Sequence, residues 1–174
     1  SREVLLFLRN CMEAKLNMVF CGCPGAGKTE LLKFLTQFIP KHEKVVTIED
    51  NLEIHYRDIN PGANCVELKV DEEFFSYTKA IKSALRQNPQ WVLLSEARST
   101  EVKYLLECFS TGLHGLTTLH TDDTRKIPDR IQNMMQDSYA ASRMENDIYS
   151  FLNVGILLCK KATGNGRVFR FVDQ

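Results

Sequence analysis

Residues 22 to 29 read Gly22-Cys23-Pro24-Gly25-Ala26-Gly27-Lys28-Thr29, a full match to the pattern G-x-x-x-x-G-K-[ST]. The residue types answer to one chemistry. Glycines at 22, 25 and 27 let the chain turn tightly, so that its N–H groups converge on the α- and β-phosphates of a nucleotide. Lys28 has the reach for β/γ oxygens, and the Thr29 hydroxyl suits Mg²⁺. Expected nucleotide contacts run through Gly22, Cys23, Pro24, Gly25, Ala26, Gly27, Lys28 and Thr29 to Glu30. The flanks agree with this reading. Asn17–Cys21 is an apolar strand, and Thr29–Phe38 has the period of a helix whose N-terminus faces the phosphates. The bland alternative, a glycine-rich strand-to-helix turn that binds nothing, does not account for Lys28 and Thr29 at these positions.

Outward from the loop, strands and helices alternate. Glu3–Ala14 is an amphipathic helix, with Val4, Leu5, Leu8, Cys11 and Met12 near helical spacing. Lys44–Glu49 is a short buried strand and 51–64, with Pro61-Gly62, a polar loop. Cys65–Val70 alternates as a strand exposed on one face. Asp71 caps a helix that runs to about Gln87 and stops at Asn88-Pro89. Trp91–Leu94 is too short and too apolar for anything but a central strand. A helix over Thr100–Phe109, a strand over Leu116–Leu119 and a helix over Asp122–Met135, interrupted near Pro128, follow. Tyr139–Phe151 is helical, and Val154–Cys159 with Arg167–Val172 forms a hairpin turning at 164–166. The fold class is therefore α/β: a mostly parallel sheet flanked by helices, of the phosphate-loop (RecA-like) NTPase kind, closing on a C-terminal β-hairpin.

A chain of 174 residues is one domain by length, here residues 1–174. Lys+Arg and Asp+Glu are both 22, so no basic surplus argues for nucleic acid. The six cysteines include no C-x-x-C pair, which argues against a zinc knuckle. Cys21 and Cys23 read as small packing residues, and free thiols beside a nucleotide loop suit a reducing cytoplasm. No run of about 18 apolar residues is present, so no direct membrane insertion is expected.

In parallel sheets, ligands bind at the carboxyl ends of strands. Three such ends carry polar groups: Thr47-Ile48-Glu49-Asp50, Leu94-Ser95-Glu96-Ala97-Arg98 and Leu119-His120-Thr121-Asp122. Phosphoryl transfer to water needs a positioned base, a Mg²⁺ shell and cations on the γ-phosphate. Glu96 fits the Mg²⁺ shell and Glu49 the base that orients water. At the level of sequence the two assignments are exchangeable. Each of these carboxylates has a plainer reading as a helix cap, His120 one as a satisfied interior histidine, and Arg98 one as a surface ion-pair partner.

Together these segments resemble the secretion-traffic ATPases, the motors of type II secretion, type IV pili and type IV (conjugative) secretion. The resemblance runs from about Leu16 to Met135. Thr-Ile-Glu-Asp at 47–50 resembles the family's acidic box. Leu-Leu-Ser-Glu-Ala-Arg at 93–98 resembles its Walker B segment, and residues 111–121 its histidine box. The stretch from Ala80 to Pro89 is also similar. The resemblance implies Glu49 as catalytic glutamate, Glu96 and Thr29 at Mg²⁺, and His120 as the group that senses the γ-phosphate, with Lys28 in its usual role. Arg57, in the loop after the acidic box, is a candidate cation for a nucleotide. ATP and Mg²⁺ are the implied cofactors. Implied partners are further copies in a hexameric ring, a family-type N-terminal domain, and secretion or pilus platform proteins at the cytoplasmic face of the inner membrane. Ser95 stands where the family has Gly, and Leu113 intervenes before His114, which puts His114 out of register while His120 keeps it. The family's N-terminal domain is not within this chain, which implies weak binding and slow hydrolysis by the domain alone. With no tetracysteine motif and a short C-terminal part, the resemblance points toward the type IV secretion/conjugation or tight-adherence side.

Two other readings use the same loop. A small-molecule or nucleotide kinase needs an arginine-rich lid, which is not evident. A non-hydrolysing assembly scaffold has no need of Lys28, Thr29, Glu49 and Glu96 together. A GTP switch is disfavoured by the absence of Asn-Lys-x-Asp.

Overall fold

The computed structural model describes residues 1–71, 73–99, 101–135, 141–163 and 167–173, with the side chains of 141–143 excepted. In chain order the elements are α1 (Arg2–Glu13), β1 (Met18–Gly22), α2 (Lys28–Thr36), β2 (Val45–Glu49), α3 (Tyr56–Ile59), β3 (Cys65–Lys69), α4 (Tyr77–Leu85), β4 (Trp91–Leu94), α5 (Glu101–Ser110), β5 (His114–Leu119), a 3₁₀ turn (Thr124–Lys126), α6 (Ile127–Met134), α7 (Ala141–Phe151), β6 (Val154–Ala162) and β7 (Val168–Val172).

The strands form one seven-stranded sheet in the order β3-β2-β4-β5-β1-β6-β7. Every neighbouring pair is parallel except β6 with β7. The chain leaves β1 and returns at β2 on the far side of β5 and β4. The crevice at the carboxyl ends of these strands is where a ligand meets such a sheet.

Alternate residues of each strand face opposite sides, and each side has its own core. Met18, Phe20, Trp91, Leu93, Leu116 and Ile156 pack under α1 and α2 with Leu8, Met12, Leu32 and Leu35. Val19, Cys21, Val92, Leu94, Leu119 and Leu157 pack under α4, α5, α6 and α7 with Ile81, Leu105, Ile131 and Ile148. Burial on both faces explains why the central strands read as unbroken apolar runs.

Two expectations are corrected. The stretch 51–64 is no plain polar loop. It contains α3, and Ile54 and Tyr56 are wholly buried beside α2. Asn60 fixes it from within, donating to Thr36 Oγ1 (3.1 Å) and to the Tyr56 carbonyl (3.2 Å). Asp71 does not cap α4. Its Oδ1 accepts from the Glu73 N–H (3.0 Å) within a tight turn whose backbone pairs Asp71 with Phe75. The helix starts at Tyr77 under a Ser76 cap instead. Strand β5 begins two residues before the expected strand and β6 extends three beyond it. Thr100, residues 139–140 and the expected hairpin turn at 164–166 lie outside the described residues.

Candidate functional site

β1 ends at Gly22 (φ +142°), and a side chain there would bring its Cβ within 2.2 Å of the Leu158 carbonyl oxygen on β6. Glycine is required by both the angle and the space. Gly27 (φ +97°) is the N-cap of α2, with no side-chain cap on the first turn. The uncapped N–H groups of α2 thus open toward the loop, the arrangement that binds anions.

Lys28 folds back over the loop. Its Nζ donates to the carbonyls of Gly22 (3.0 Å) and Cys23 (3.3 Å) and lies 3.4 Å from His120 Nδ1. Burial pulls its pKa below the ordinary lysine range, and the Glu96 carboxylate opposes that shift. His120 stands just past β5, with Nε2 2.8 Å from Glu96 Oε1. A neutral imidazole with its proton on Nε2 satisfies both contacts, donating to Glu96 and accepting from Lys28.

Glu96, just past β4, is held from its other side by Arg98. The Nε and Nη2 of Arg98 lie 2.8 and 2.7 Å from Glu96 Oε2. Arg98 Nη1 continues to Asp50 Oδ2 at 2.7 Å. Burial pushes the Asp50 carboxyl up, but the Asn51 N–H and Arg98 outweigh it and leave it below its usual range. The result is one chain of contacts, Lys28–His120–Glu96–Arg98–Asp50, joining the N-terminus of α2 to the ends of β5, β4 and β2. Arg98, with its side chain about half exposed, is an ion-pair partner of both carboxylates.

A cavity of about 210 Å³ opens over this chain, lined by Lys28, Thr29, Glu53, Ser95, Glu96 and His120 among others. A larger one, about 1040 Å³, begins on the other side of the loop between α1, α2 and β7. Gly25, Lys28, Thr29 and Glu53 border both.

Of the residues expected at the site, Lys28, Thr29, Glu96 and His120 converge. Glu49 does not. It is 0% exposed and borders neither cavity. Its Oε2 accepts the N–H groups of Glu53 and Ile54, both at 2.9 Å. Burial pushes its pKa up, with those N–H bonds pulling the other way. Glu49, the expected water-orienting base, is thus placed as a loop anchor away from both cavities. The residue it anchors is Glu53, whose Oε2 accepts from the Thr29 hydroxyl at 3.3 Å. Sequence reasoning missed Glu53, which lies four residues beyond Glu49 in a stretch taken for loop. Arg57 does not reach either cavity. It lies against β3, donating to the Cys65 carbonyl (3.1 Å), with Glu67 3.9 Å away. His114 sits at the opposite end of β5, its ring 5.5 Å from that of Trp91.

Two basic residues of the C-terminal hairpin, also missed, close on the loop from outside. Lys160 Nζ donates to the Pro24 carbonyl (2.8 Å) and Arg170 Nε to that of Gly25 (2.9 Å).

No cluster of three or more metal-ligating side chains is present among the described residues. The donor set of Thr29 and Glu96 fits Mg²⁺ nonetheless. That ion takes one or two protein oxygens and fills its shell with water and phosphate oxygens.

The chain is similar to known proteins over most of its length. An uncharacterized Bacillus anthracis protein is 33% identical over 159 residues, 86% of this chain and 34% of the relative. The type IV secretion system protein VirB11 of Bartonella quintana is 26% identical over 179 residues, 97% of this chain and 49% of the relative. The chain therefore spans a third to a half of the length of these relatives. The crystal structure of the VirB11 ATPase from the Brucella suis type IV secretion system, in complex with sulphate, superposes with a TM-score of 0.86 at 23% identity. That alignment covers 99% of this chain and 51% of the other, and it shows a shared fold. The family described as type II/IV secretion system protein matches residues 2–164, which takes in the loop, Glu53, Glu96 and His120, and the chain belongs to that family.

Proposed function

We propose that this chain is the ATP-hydrolysing domain of a secretion-system or pilus motor, on the type IV secretion side of the family. One observation carries the reading: Lys28, Thr29, Glu53, Glu96 and His120 line a single cavity where the strands end. In the proposed complex the β- and γ-phosphates lie on the loop N–H groups, and Lys28 leaves the Gly22 and Cys23 carbonyls for their oxygens. The apolar walls of the larger cavity, Val4, Leu5, Leu8 and Phe34, receive the nucleoside. Thr29, with Glu96 near it, would hold Mg²⁺, which would supply positive charge against the charge developing on the phosphates. Glu53 takes the proton from the attacking water, and a bond forms from that water to the γ-phosphorus as the bond to the β–γ bridging oxygen breaks. Glu49 serves by fixing the loop that presents Glu53.

The chain of contacts supplies a report of that event. Lys28 sits on the phosphates at one end, and every later member is touched by the one before it. Departure of the γ-phosphate returns Lys28 toward His120 and shifts the pull on Glu96, Arg98 and Asp50. Such a switch suits a ring of copies, and we propose a hexamer whose motions act on secretion or pilus platform proteins at the cytoplasmic membrane face. A family-type N-terminal domain completes the site. None of the described helices is long and apolar enough to cross a membrane, which suits peripheral attachment.

The decisive experiment measures phosphate release from ATP and Mg²⁺ by the protein with and without a Lys28→Ala substitution, alongside sedimentation. Turnover that depends on Lys28, with nucleotide-dependent assembly, is expected. Nucleotide binding without Lys28-dependent turnover selects the scaffold reading instead.

A further inference from the structure

The sheet register places Lys160 of β6 directly opposite Arg170 of β7. Like charges facing each other across two strands are destabilising. The pairing is also local to the site. Lys160 and Arg170 share a face with Leu158 and Val172, two residues away on each strand, which pack in the core under α1 and α2. Both cations reach the outer rim of the phosphate loop, on consecutive carbonyls, Pro24 and Gly25. No carboxylate pairs with either among the described residues. A carbonyl accepts a hydrogen bond but leaves the full positive charge uncompensated.

Arg170 goes further than Lys160. Only its Nε has a partner among the described residues, so the two terminal nitrogens remain available, and the side chain borders the large cavity beside Gly25, Lys28 and Thr29. Its Cδ lies so near Gly27 that a Cβ there would meet it at 3.2 Å. A planar guanidinium fixed through one N–H and open at the other end is suited to phosphate oxygens.

We propose that the C-terminal hairpin contributes a nucleotide-binding cation in cis: the terminal nitrogens of Arg170 pair with phosphate oxygens of the nucleotide seated on the loop, and that anion compensates the Lys160–Arg170 repulsion. The inference rests on the nucleotide-binding reading above and adds a residue beyond 164, where the family match ends. Phosphate charge is then drawn from two elements, Lys28 inside the loop and Arg170 outside it.

Titration of ADP into the protein and its Arg170→Gln variant at several salt concentrations tests it. Glutamine keeps a donor for the Gly25 carbonyl and removes the charge. The expected result is ADP binding weakened about tenfold or more, with a shallower dependence on salt, and an unchanged circular dichroism spectrum. ADP affinity and salt slope equal to wild type would overturn the proposal and leave Arg170 as a loop tether. Should Arg170→Gln fail to fold, Arg170→Lys decides: the charge is kept, so the salt slope stays while affinity falls, whereas a tether role leaves both unchanged. Absence of ADP binding by the wild-type protein would instead sink the nucleotide reading itself, and this inference with it.

Discussion

Strand β5 carries a histidine at either end, and the two ends of the sheet differ in what surrounds them. At the carboxyl end, His120 lies between Lys28 and Glu96 on the wall of a cavity. At the amino end, His114 lies against Trp91, whose Nε1 donates to Glu43 Oε2 (2.6 Å) while Lys15 Nζ meets Glu43 Oε1 (2.6 Å). Both ends thus hold a lysine, a glutamate and a histidine. At the amino end each polar group closes on its neighbour and the Glu43 side chain is only 9% exposed. At the carboxyl end the same residue types face space beside uncapped helix N–H groups. Residue identity does not distinguish a site from a structural cluster here. An open cavity beside a helix N-terminus without a side-chain cap does.

The largest way to break this contrast is Lys28→Ala. It removes the cation proposed for the phosphates and one end of the contact chain, and hydrolysis should fall by about 10³-fold or more with tight nucleotide binding lost, as read by phosphate release and ADP titration. Next come the two glutamates of one strand end. Glu53→Gln should cut turnover about 100-fold or more with ADP affinity retained, the signature of a lost proton acceptor. Glu49→Gln should cost less than about tenfold, since the amide oxygen still accepts from Glu53 and Ile54. Normal turnover in Glu53→Gln, or a collapse in Glu49→Gln, would return the base role to Glu49.

The sequence made the loop, the sheet and four of the five cavity residues in the proposed chemistry legible because each follows from local pattern. Lys28 and Thr29 come with the loop motif, while Glu96 and His120 follow apolar strand runs. Glu53 escaped because no local pattern separates a buried anchor from the residue it anchors. Glu49 ends its strand where a catalytic carboxylate is expected, and only the packing of Ile54 and Tyr56 against α2 turns the next residues inward. The polar composition of 51–64 concealed that packing. Arg170 was illegible for a different reason: its distance from the loop in sequence is bridged by register between β1, β6 and β7, which a single sequence does not display.

At the amino end, Glu43→Ala should leave turnover intact and lower stability. It orphans the buried Trp91 N–H, a cost of about 1–3 kcal/mol, or roughly 2–12 °C in a thermal melt. The Lys15 contribution is smaller because that side chain is 38% exposed and its charge is screened. A pH series sharpens the assignment. Burial pushes the Glu43 carboxyl up, but the bonds from Lys15 and Trp91 outweigh it and hold the pKa below 4.5. A lowered carboxylate pKa contributes stability above its unfolded value, and that stability is lost as pH falls through the folded one. The acid-induced loss below about pH 4.5 should therefore be shallower in Glu43→Ala than in wild type.

The smallest expected effect belongs to His114. Burial lowers its pKa from 6.5, and the Lys15 ammonium acts in the same direction. As pH drops below 6.5 the unfolded chain takes up a proton that the folded chain still refuses, so stability declines from there until the folded histidine also titrates. That window lies above the one for Glu43, so the two are separable in one series of melts. His114→Phe keeps a ring against Trp91 and cannot titrate. It should flatten the decline just below pH 6.5, leave the loss below 4.5 in place and leave turnover unchanged. A turnover defect in His114→Phe would erase the distinction between the two ends of β5, because it would mean that the closed cluster at the amino end is coupled to the chemistry at the other.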